Sequence, residues 1–265
     1  MLSLDQLLTQ TGIRLDGVLT DIDDTLTTDG RLTAAAYSAL EGLRAAGLRV
    51  IPVTGRPAGW CDHIARMWPV DGVVGENGAF WMRHDAAARR LRTVFAGNPP
   101  ADRQARLDAL AREILAAVPG CALASDQFCR VADLAIDYCE DVAPLPPAAV
   151  DEIVRRMEAA GMRAKVSSIH VNGWFGEYDK LSTVKRMLRE EFGVALDAPE
   201  ARARWVFVGD SPNDAPMFGF FENSVGVANV LDFGDRLPVK PAYVTRERAG
   251  AGFVELAEAL LAARP

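Results

Sequence analysis

Two carboxylates, Asp21 and Asp23, stand at the end of the apolar run Gly17-Val18-Leu19-Thr20. In an extended strand side chains repeat with period two, so both would point the same way, with Ile22 on the opposite face. Two such charges about 4 Å apart repel by about 4 kcal/mol at an effective dielectric of 20, so a cation or a proton belongs between them. A polar turn would explain a lone Asp-x-Asp. Its place at the C-terminal end of a first strand, the edge where open α/β sheets bind ligands, favours a site.

Three further clusters fall at the same kind of place. Val53-Thr54-Gly55-Arg56-Pro57 carries a strand into a glycine turn, with Pro57 expected as the first residue of a helix. A hydroxyl and free N–H groups at a helix start suit a phosphate, although this stretch alone reads as a plain turn. Lys180, in Tyr178-Asp179-Lys180-Leu181 at a helix opening, would by itself be a surface lysine. The strongest cluster is Trp205-Val206-Phe207-Val208-Gly209-Asp210-Ser211-Pro212-Asn213-Asp214, a buried strand running into two acidic groups. A capping turn would explain Asp214 but not Asp210. Oxygen ligands without His or Cys are what Mg2+ uses, and the matching substrate is a phosphate. A carboxylate beside Mg2+ can attack phosphorus and become an aspartyl-phosphate. A second carboxylate can protonate the leaving group and then activate water, while lysine and threonine neutralise the transition state.

The elements that must position these groups alternate strand and helix. The pattern predicts a strand over 17–23, a helix over 33–46, a strand over 49–54, a helix over 57–68 and a strand over 72–75. It resumes with helices over 179–192, 215–221 and 252–263 and strands over 205–209, 224–227 and 242–245. Between them the rhythm differs: strands over 90–95, 121–125, 133–140 and 163–172, and helices over 99–118 and 146–161. Leu134, Ile136 and Tyr138 alternate with Asp133, Ala135 and Asp137, as in a sheet covered on one side only. The expected fold is therefore α/β: a doubly wound, Rossmann-like parallel core over 1–82 and 177–265, with an inserted α+β domain over 83–176. Hinges are expected at 82–88 and 173–178.

With these motifs in this order, the chain resembles the haloacid dehalogenase superfamily of phosphohydrolases. It is most similar to the branch with a large cap between the second and third motifs, which includes Cof-type, sucrose-phosphate and mannosyl-glycerate phosphatases. Asp-Ile-Asp-Asp-Thr-Leu, Val-Thr-Gly-Arg-Pro, Lys180 and Gly-Asp-Ser-Pro-Asn-Asp carry the resemblance, joined by Gly75-Glu76-Asn77-Gly78-Ala79. It implies that Asp21 is the nucleophile and Asp23 the general acid/base. The Asp21 carboxylate, the Asp23 main-chain carbonyl and Asp210 would hold Mg2+, with Asp214 nearby. Thr54 and Lys180 would bind the phosphoryl group, with Asn213 helping. The position after the second Asp is usually Gly in this branch; here it is Asp24, a third carboxylate that could alter metal affinity but is expected to face solvent.

The cap and the core loops would read the rest of the substrate. Gly55, Arg56 and Asn77 are the core-loop candidates, with Glu76 beside them. Ser168, His170 and Asn172 share one face of the last cap strand against Ile169 and Val171. Such a face more often meets solvent; turned toward the core it would meet sugar hydroxyls, with Asp137 as a further candidate. Trp60 and Trp174 could stack on a ring, though large aromatics more often serve packing.

The 265 residues, 49% hydrophobic and 25% charged, describe a globular protein with a sizeable core. A net charge of −7 argues against a nucleic-acid surface. Cys61, Cys121, Cys129 and Cys139 form no C-x-x-C pair, so they are expected to be reduced thiols in a cytoplasmic protein. Residues 1–15 lack the apolar stretch of a signal peptide, with Ser3 and Gln6 expected to form a capping box, and no run is long enough for a membrane span. The expected partner is a small phosphorylated molecule, with monomer and weak dimer both open. The expected activity is a phosphatase for a small metabolite, foremost a sugar phosphate. The rivals are a phosphotransferase or sugar-phosphate mutase on the same aspartyl-phosphate, and a phospho-accepting signalling domain. Asp23 and the insertion argue against the last, which needs a long-lived phosphoryl group and no lid.

Overall fold

A computed structural model describes residues 1–8, 14–98 and 100–263. Its centre is a parallel six-stranded sheet in the order Leu2–Ser3, Tyr243–Val244, Asn223–Gly226, Trp205–Gly209, Gly17–Thr20, Arg49–Pro52. Alternate residues of the central strands feed two cores. Val18, Val50, Val206 and Val225 pack under the helices Ala34–Ala45, Ala58–Met67 and Ala249–Ala262. Leu19, Ile51 and Phe207 pack on the other face with Val184 and Met187 of the Lys180–Phe192 helix. A strand buried on both faces is the mark of a doubly wound parallel sheet, and the expected fold class is the observed one.

The expected elements are present with shifted ends. The first strand stops at Thr20 rather than continuing to Asp23, because Thr25, Leu26 and Thr27 all donate their N–H groups to Ile22 O and wind the chain into a turn. The period-two argument therefore does not govern Asp21 and Asp23. Pro57 is the N-cap of the Ala58–Met67 helix, not its first residue. Thr33 caps Ala34–Ala45 by accepting from Ala36 N at 3.2 Å. The expected capping box at Ser3 and Gln6 falls at the start of a short helix, Leu4–Leu8.

The middle of the chain departs more. Phe80–Asp85, absent from the sequence reading, pairs with both Val73–Gly75 and Arg90–Phe95 in a separate antiparallel sheet. The expected boundary at residue 83 thus falls inside a strand, and Arg90–Phe95 joins the core side. The helix expected from Pro99 begins at Arg103; Pro99 itself lies outside the described residues. The single strand expected over 163–172 is a hairpin, Arg163–Val166 and His170–Trp174, turning at 167–169. These two strands, Asp133–Asp137 and Ala122–Leu123 make a four-stranded antiparallel sheet. Its Leu134, Ile136 and Val171 form a third core with Leu107, Ile114, Ile153 and Met157 of the Arg103–Ala117 and Pro147–Ala159 helices. The expectation of one open face fails here. Asp133, Asp137, His170 and Asn172 are buried as well, because that face lies over the edge of the parallel sheet. No helix of the described residues is long and apolar enough to cross a membrane.

Candidate active site

Asp21 and Asp210 leave neighbouring parallel strands at the same edge, and each is nearly inaccessible to solvent. Asp214 follows in the short helical turn Pro212–Asp214, capped by Ser211. It comes so close to the strand that a Cβ on Gly209 would lie 2.4 Å from its Oδ2, so only glycine fits there. Carboxylate oxygens of Asp21, Asp210 and Asp214 all lie within 4.8 Å of one another. Lys180 Nζ donates to Asp21 Oδ1 and to Asp214 Oδ1, at 2.8 Å each. Lys180 is placed by the N-terminus of its helix, where Asp179 and Ser182 form a reciprocal cap. The Gly75–Ala79 loop packs against that terminus. A Cβ on Gly78, whose φ is +104°, would lie 2.2 Å from Asp179 O, and Thr183 Oγ1 donates to Gly78 O at 2.6 Å.

Burial pushes Asp21 up to about 8; Lys180 pulls against this, while the charges of Asp214 and Asp23 add to it. Burial, then Asp21 and Asp214, raise Asp210 well above the usual carboxylate range. Lys180 is held charged by Asp21 and Asp214 in spite of its own burial. Three crowded carboxylates share one ammonium, which is the electrostatic condition of a cation site. The donor set is oxygen alone and fits a hard divalent ion such as Mg2+ rather than zinc. Asp210 is further held by Thr25 Oγ1 and Asn229 Nδ2, each donating at 3.3 Å.

The Asp23 carboxylate is held elsewhere. Arg56 grips it bidentately at 2.8–3.0 Å, and Arg56 is in turn held by Glu140 at 2.7 Å and Asp126 at 3.4 Å. Thr54 is fully buried, its Oγ1 accepting from Arg56 N at 3.0 Å. The cleft between the parallel sheet and the four-stranded sheet is lined by Asp21, Asp23, Gly55, Arg56, Arg130, Ser167, Ser168, Ile169, His170, Asn172, Ser211 and Asn213. The face carrying His170 and Asn172 thus turns to the core, not to solvent, and Ser168 reaches the cleft from the hairpin turn. Asn213 Oδ1 accepts from Ser211 Oγ at 2.8 Å. Asn77 lies against Gly55, buried, with its Nδ2 unpartnered. The centre of a water molecule has about 10 Å³ to move in this cleft, room for about one water.

Other expectations are corrected. Asp24 faces solvent only in part: it is half-buried, its carboxyl is raised by burial, and it lines an opening together with Ser168. Its φ of +55° is the left-handed backbone that glycine adopts freely, which explains why glycine is the usual residue there. Asp137 accepts N–H bonds from Cys139, Glu140 and Asp141, so it shapes a turn rather than facing the cleft. Trp174 is packed, with Nε1 donating to Tyr178 O. Trp60 carries the Arg56 guanidinium 4.4 Å over its ring. Sequence reading missed Arg130, Glu140, Asp126 and Asn229. Asn229 alone had a signal, since it follows an apolar strand at the same sheet edge. Glu76, read as a loop candidate, is fully buried and accepts from the backbone N–H groups of Ala58, Val131, Ala132 and Asp133.

Residues 18–91 match the family model for haloacid dehalogenase-like hydrolase. No curated protein matches the chain. Among solved structures the chain is similar to a HAD/COF-like hydrolase from Plasmodium vivax, with a TM-score of 0.70, 15% identity, and 99% of this chain and 100% of that one covered. The phosphatase BT1666 from Bacteroides thetaiotaomicron gives a TM-score of 0.65 at 16% identity, with 96% and 98% covered. The subclass IIB sugar phosphatase BT4131 gives 0.61 at 16% identity, with 87% and 93% covered. The resemblance carried by the motifs is thus also one of fold over almost the whole chain.

Proposed function

We propose that this chain, similar to haloacid dehalogenase-like hydrolases in motif and fold, is a Mg2+-dependent phosphomonoesterase acting through an aspartyl-phosphate on a small phosphorylated metabolite, foremost a sugar phosphate. The observation that carries the reading is the meeting of Asp21, Asp210, Asp214 and Lys180 at one sheet edge, with Asp23 on the next turn. Asp21, Asp210 and Asp214 would hold the ion, together with the Asp23 main-chain carbonyl; bound there, Mg2+ supplies charge neutralisation for the phosphoryl oxygens. An Asp21 carboxylate oxygen forms the bond to phosphorus as the ester P–O bond breaks, and Asp23 gives the leaving oxygen its proton. Water then attacks phosphorus, Asp23 takes its proton, and the Asp21–phosphorus bond breaks to free phosphate. Lys180 fixes the orientation of Asp21, and Arg56 holds Asp23 as the base of the second step, a bidentate grip that must loosen for Asp23 to carry the proton of the first; the turn at Gly55 lines the cleft, and Thr54, buried behind it, would meet the phosphoryl oxygens.

The four-stranded sheet and its helices, within residues 83–176, serve as a lid that excludes bulk water. Water as the phosphoryl acceptor distinguishes the hydrolase reading from phosphotransferase and mutase, which would pass the phosphoryl group to a second hydroxyl. A lid lying over the site also counts against a long-lived phosphoryl signal. Phosphate release from a panel of phosphorylated metabolites, with Mg2+ and with chelator, tests this beside Asp21→Asn. Release that needs Mg2+ and vanishes in the variant is expected. Release that survives chelation or the substitution would overturn the reading.

A further inference from the structure

We infer that Arg130 reads the leaving group of the substrate and that this group is uncharged and hydroxyl-bearing; the inference rests on the phosphomonoesterase reading above. Arg130 follows the short turn Gln127–Cys129, and its side chain is 1% exposed. Its Nε donates to Asp126 Oδ1 at 3.0 Å, and its Nη1 to Asp133 Oδ1 at 3.0 Å and to Gly55 O at 2.9 Å. Its Nη2 is buried without an acceptor, on a residue lining the cleft that holds Asp21 and Asp23. A buried charged donor left unpaired is costly, so an oxygen of the bound molecule belongs beside it.

The surrounding charge decides what bears that oxygen. Arg130 and Arg56 are met by four carboxylates, Asp126, Asp133, Asp23 and Glu140, with His170 Nε2 2.8 Å from Glu140. Both guanidinium groups are therefore already answered. Even with Asp23 protonated for its role as acid, Asp126, Asp133 and Glu140 outnumber the two guanidinium groups, so a second anion on the substrate, a carboxylate or another phosphate, would enter a neighbourhood with a surplus of negative charge. A hydroxyl accepts from Nη2 and donates its own proton to a neighbouring carboxylate, whereas an anionic group only accepts. The site so built favours a polyol or sugar monophosphate over a phosphorylated acid or a bisphosphate.

The test compares wild-type kcat/KM for glucose 6-phosphate and glycerol 1-phosphate with that for 3-phosphoglycerate and fructose 1,6-bisphosphate. At least a tenfold preference for the neutral leaving groups is expected; an equal or reversed preference overturns the inference and leaves the phosphatase reading intact. Arg130→Lys keeps the charge but withdraws Nη2, together with the Nε and Nη1 bonds to Asp126, Asp133 and Gly55 O, so the readout is the ratio between two esters. It should lose at least tenfold more kcat/KM on glucose 6-phosphate than on phenyl phosphate, whose leaving group offers no further hydroxyl. An equal loss on both would make Arg130 a brace for Gly55 and overturn the inference. If no ester releases phosphate, the phosphatase reading fails separately. Calorimetry of Asp21→Asn with glucose 6-phosphate and with fructose 1,6-bisphosphate then decides: tighter binding of the first supports the role of Arg130, and equal or weaker binding rejects it.

Discussion

Lys180 stands 2.8 Å from both Asp21 and Asp214, and its worth follows from what its removal would leave: buried carboxylates with no fixed cation between them. Breaking a buried ion pair from one side costs roughly 3–5 kcal/mol. Lys180→Ala should therefore destabilise the metal-free protein by several kcal/mol in denaturant titrations, with Mg2+ restoring part of it. It should also lower kcat/KM by at least about a hundredfold. Near-normal stability and rate would make Lys180 a bystander. The acidic residues and Thr54 were legible in the sequence because each lies just beyond the end of an apolar strand, and Lys180 became so only in their company. Arg130 and Glu140 were not legible. Both sit in irregular stretches of the insertion, and their partners, Gly55 O and Arg56, come from distant parts of the chain. The half-burial of Asp24 was not legible because its left-handed backbone and its place beside Ser168 depend on the surrounding loop.

At the scale of elements, the Gly75–Ala79 loop does more than connect strands. Glu76 and Asn77 both adopt positive φ, a strained pair, and Glu76 spends its carboxylate on N–H groups of residues 131–133 across the cleft. Glu76→Gln turns an amide NH2 toward those donors and should cost roughly 1–3 kcal/mol of stability. Burial and then Asp133 push Glu76 up to about 7, against the pull of its N–H donors and Arg130. The folded chain thus binds this proton more tightly than the unfolded chain. The associated stability is full below the ordinary glutamate range and is lost as pH rises through about 7. The stability gap between wild type and Glu76→Gln, read from denaturant midpoints, should narrow from pH 5 to pH 8. A widening gap would mean that the N–H donors win and the carboxylate stays ionised. The hairpin at 167–169 escaped the sequence reading for a local reason. Its turn is made by Ser167, whose Oγ accepts from Ile169 N and His170 N, so no glycine or proline marks it. Phe80–Asp85 was missed because its polar half, Arg83-His84-Asp85, resembles a linker, although it is a strand paired on both sides.

Across the whole molecule, the four-stranded sheet is fastened to the core by Glu76 to residues 131–133, by Arg130 to Gly55 O, and by Arg56 to Asp126 and Glu140. The cleft beneath has room for about one water, so a substrate seated between Asp21 and Arg130 requires part of this fastening to be released; a wider opening of about 500 Å³, lined by Asp24, Ser168, Asp210 and Asn229, adjoins it. The parallel core was readable because buried strands and amphipathic helices repeat at short range. How the insertion lies on the core was not, since its contacts are polar, long-range and made by residues that also suit a solvated surface. Mg2+ binding should raise stability by about 2.7 kcal/mol at a hundred times its Kd, and Asp210→Asn should remove most of that gain; a gain unchanged in the variant would move the ion elsewhere. The most direct measurement is an acid-quenched turnover of a radiolabelled sugar phosphate with Mg2+, followed by peptide mapping of the protein. The account predicts a phosphoryl group on Asp21, formed and lost at the rate of turnover. Turnover with no labelled residue, or with the label on another side chain, would contradict it.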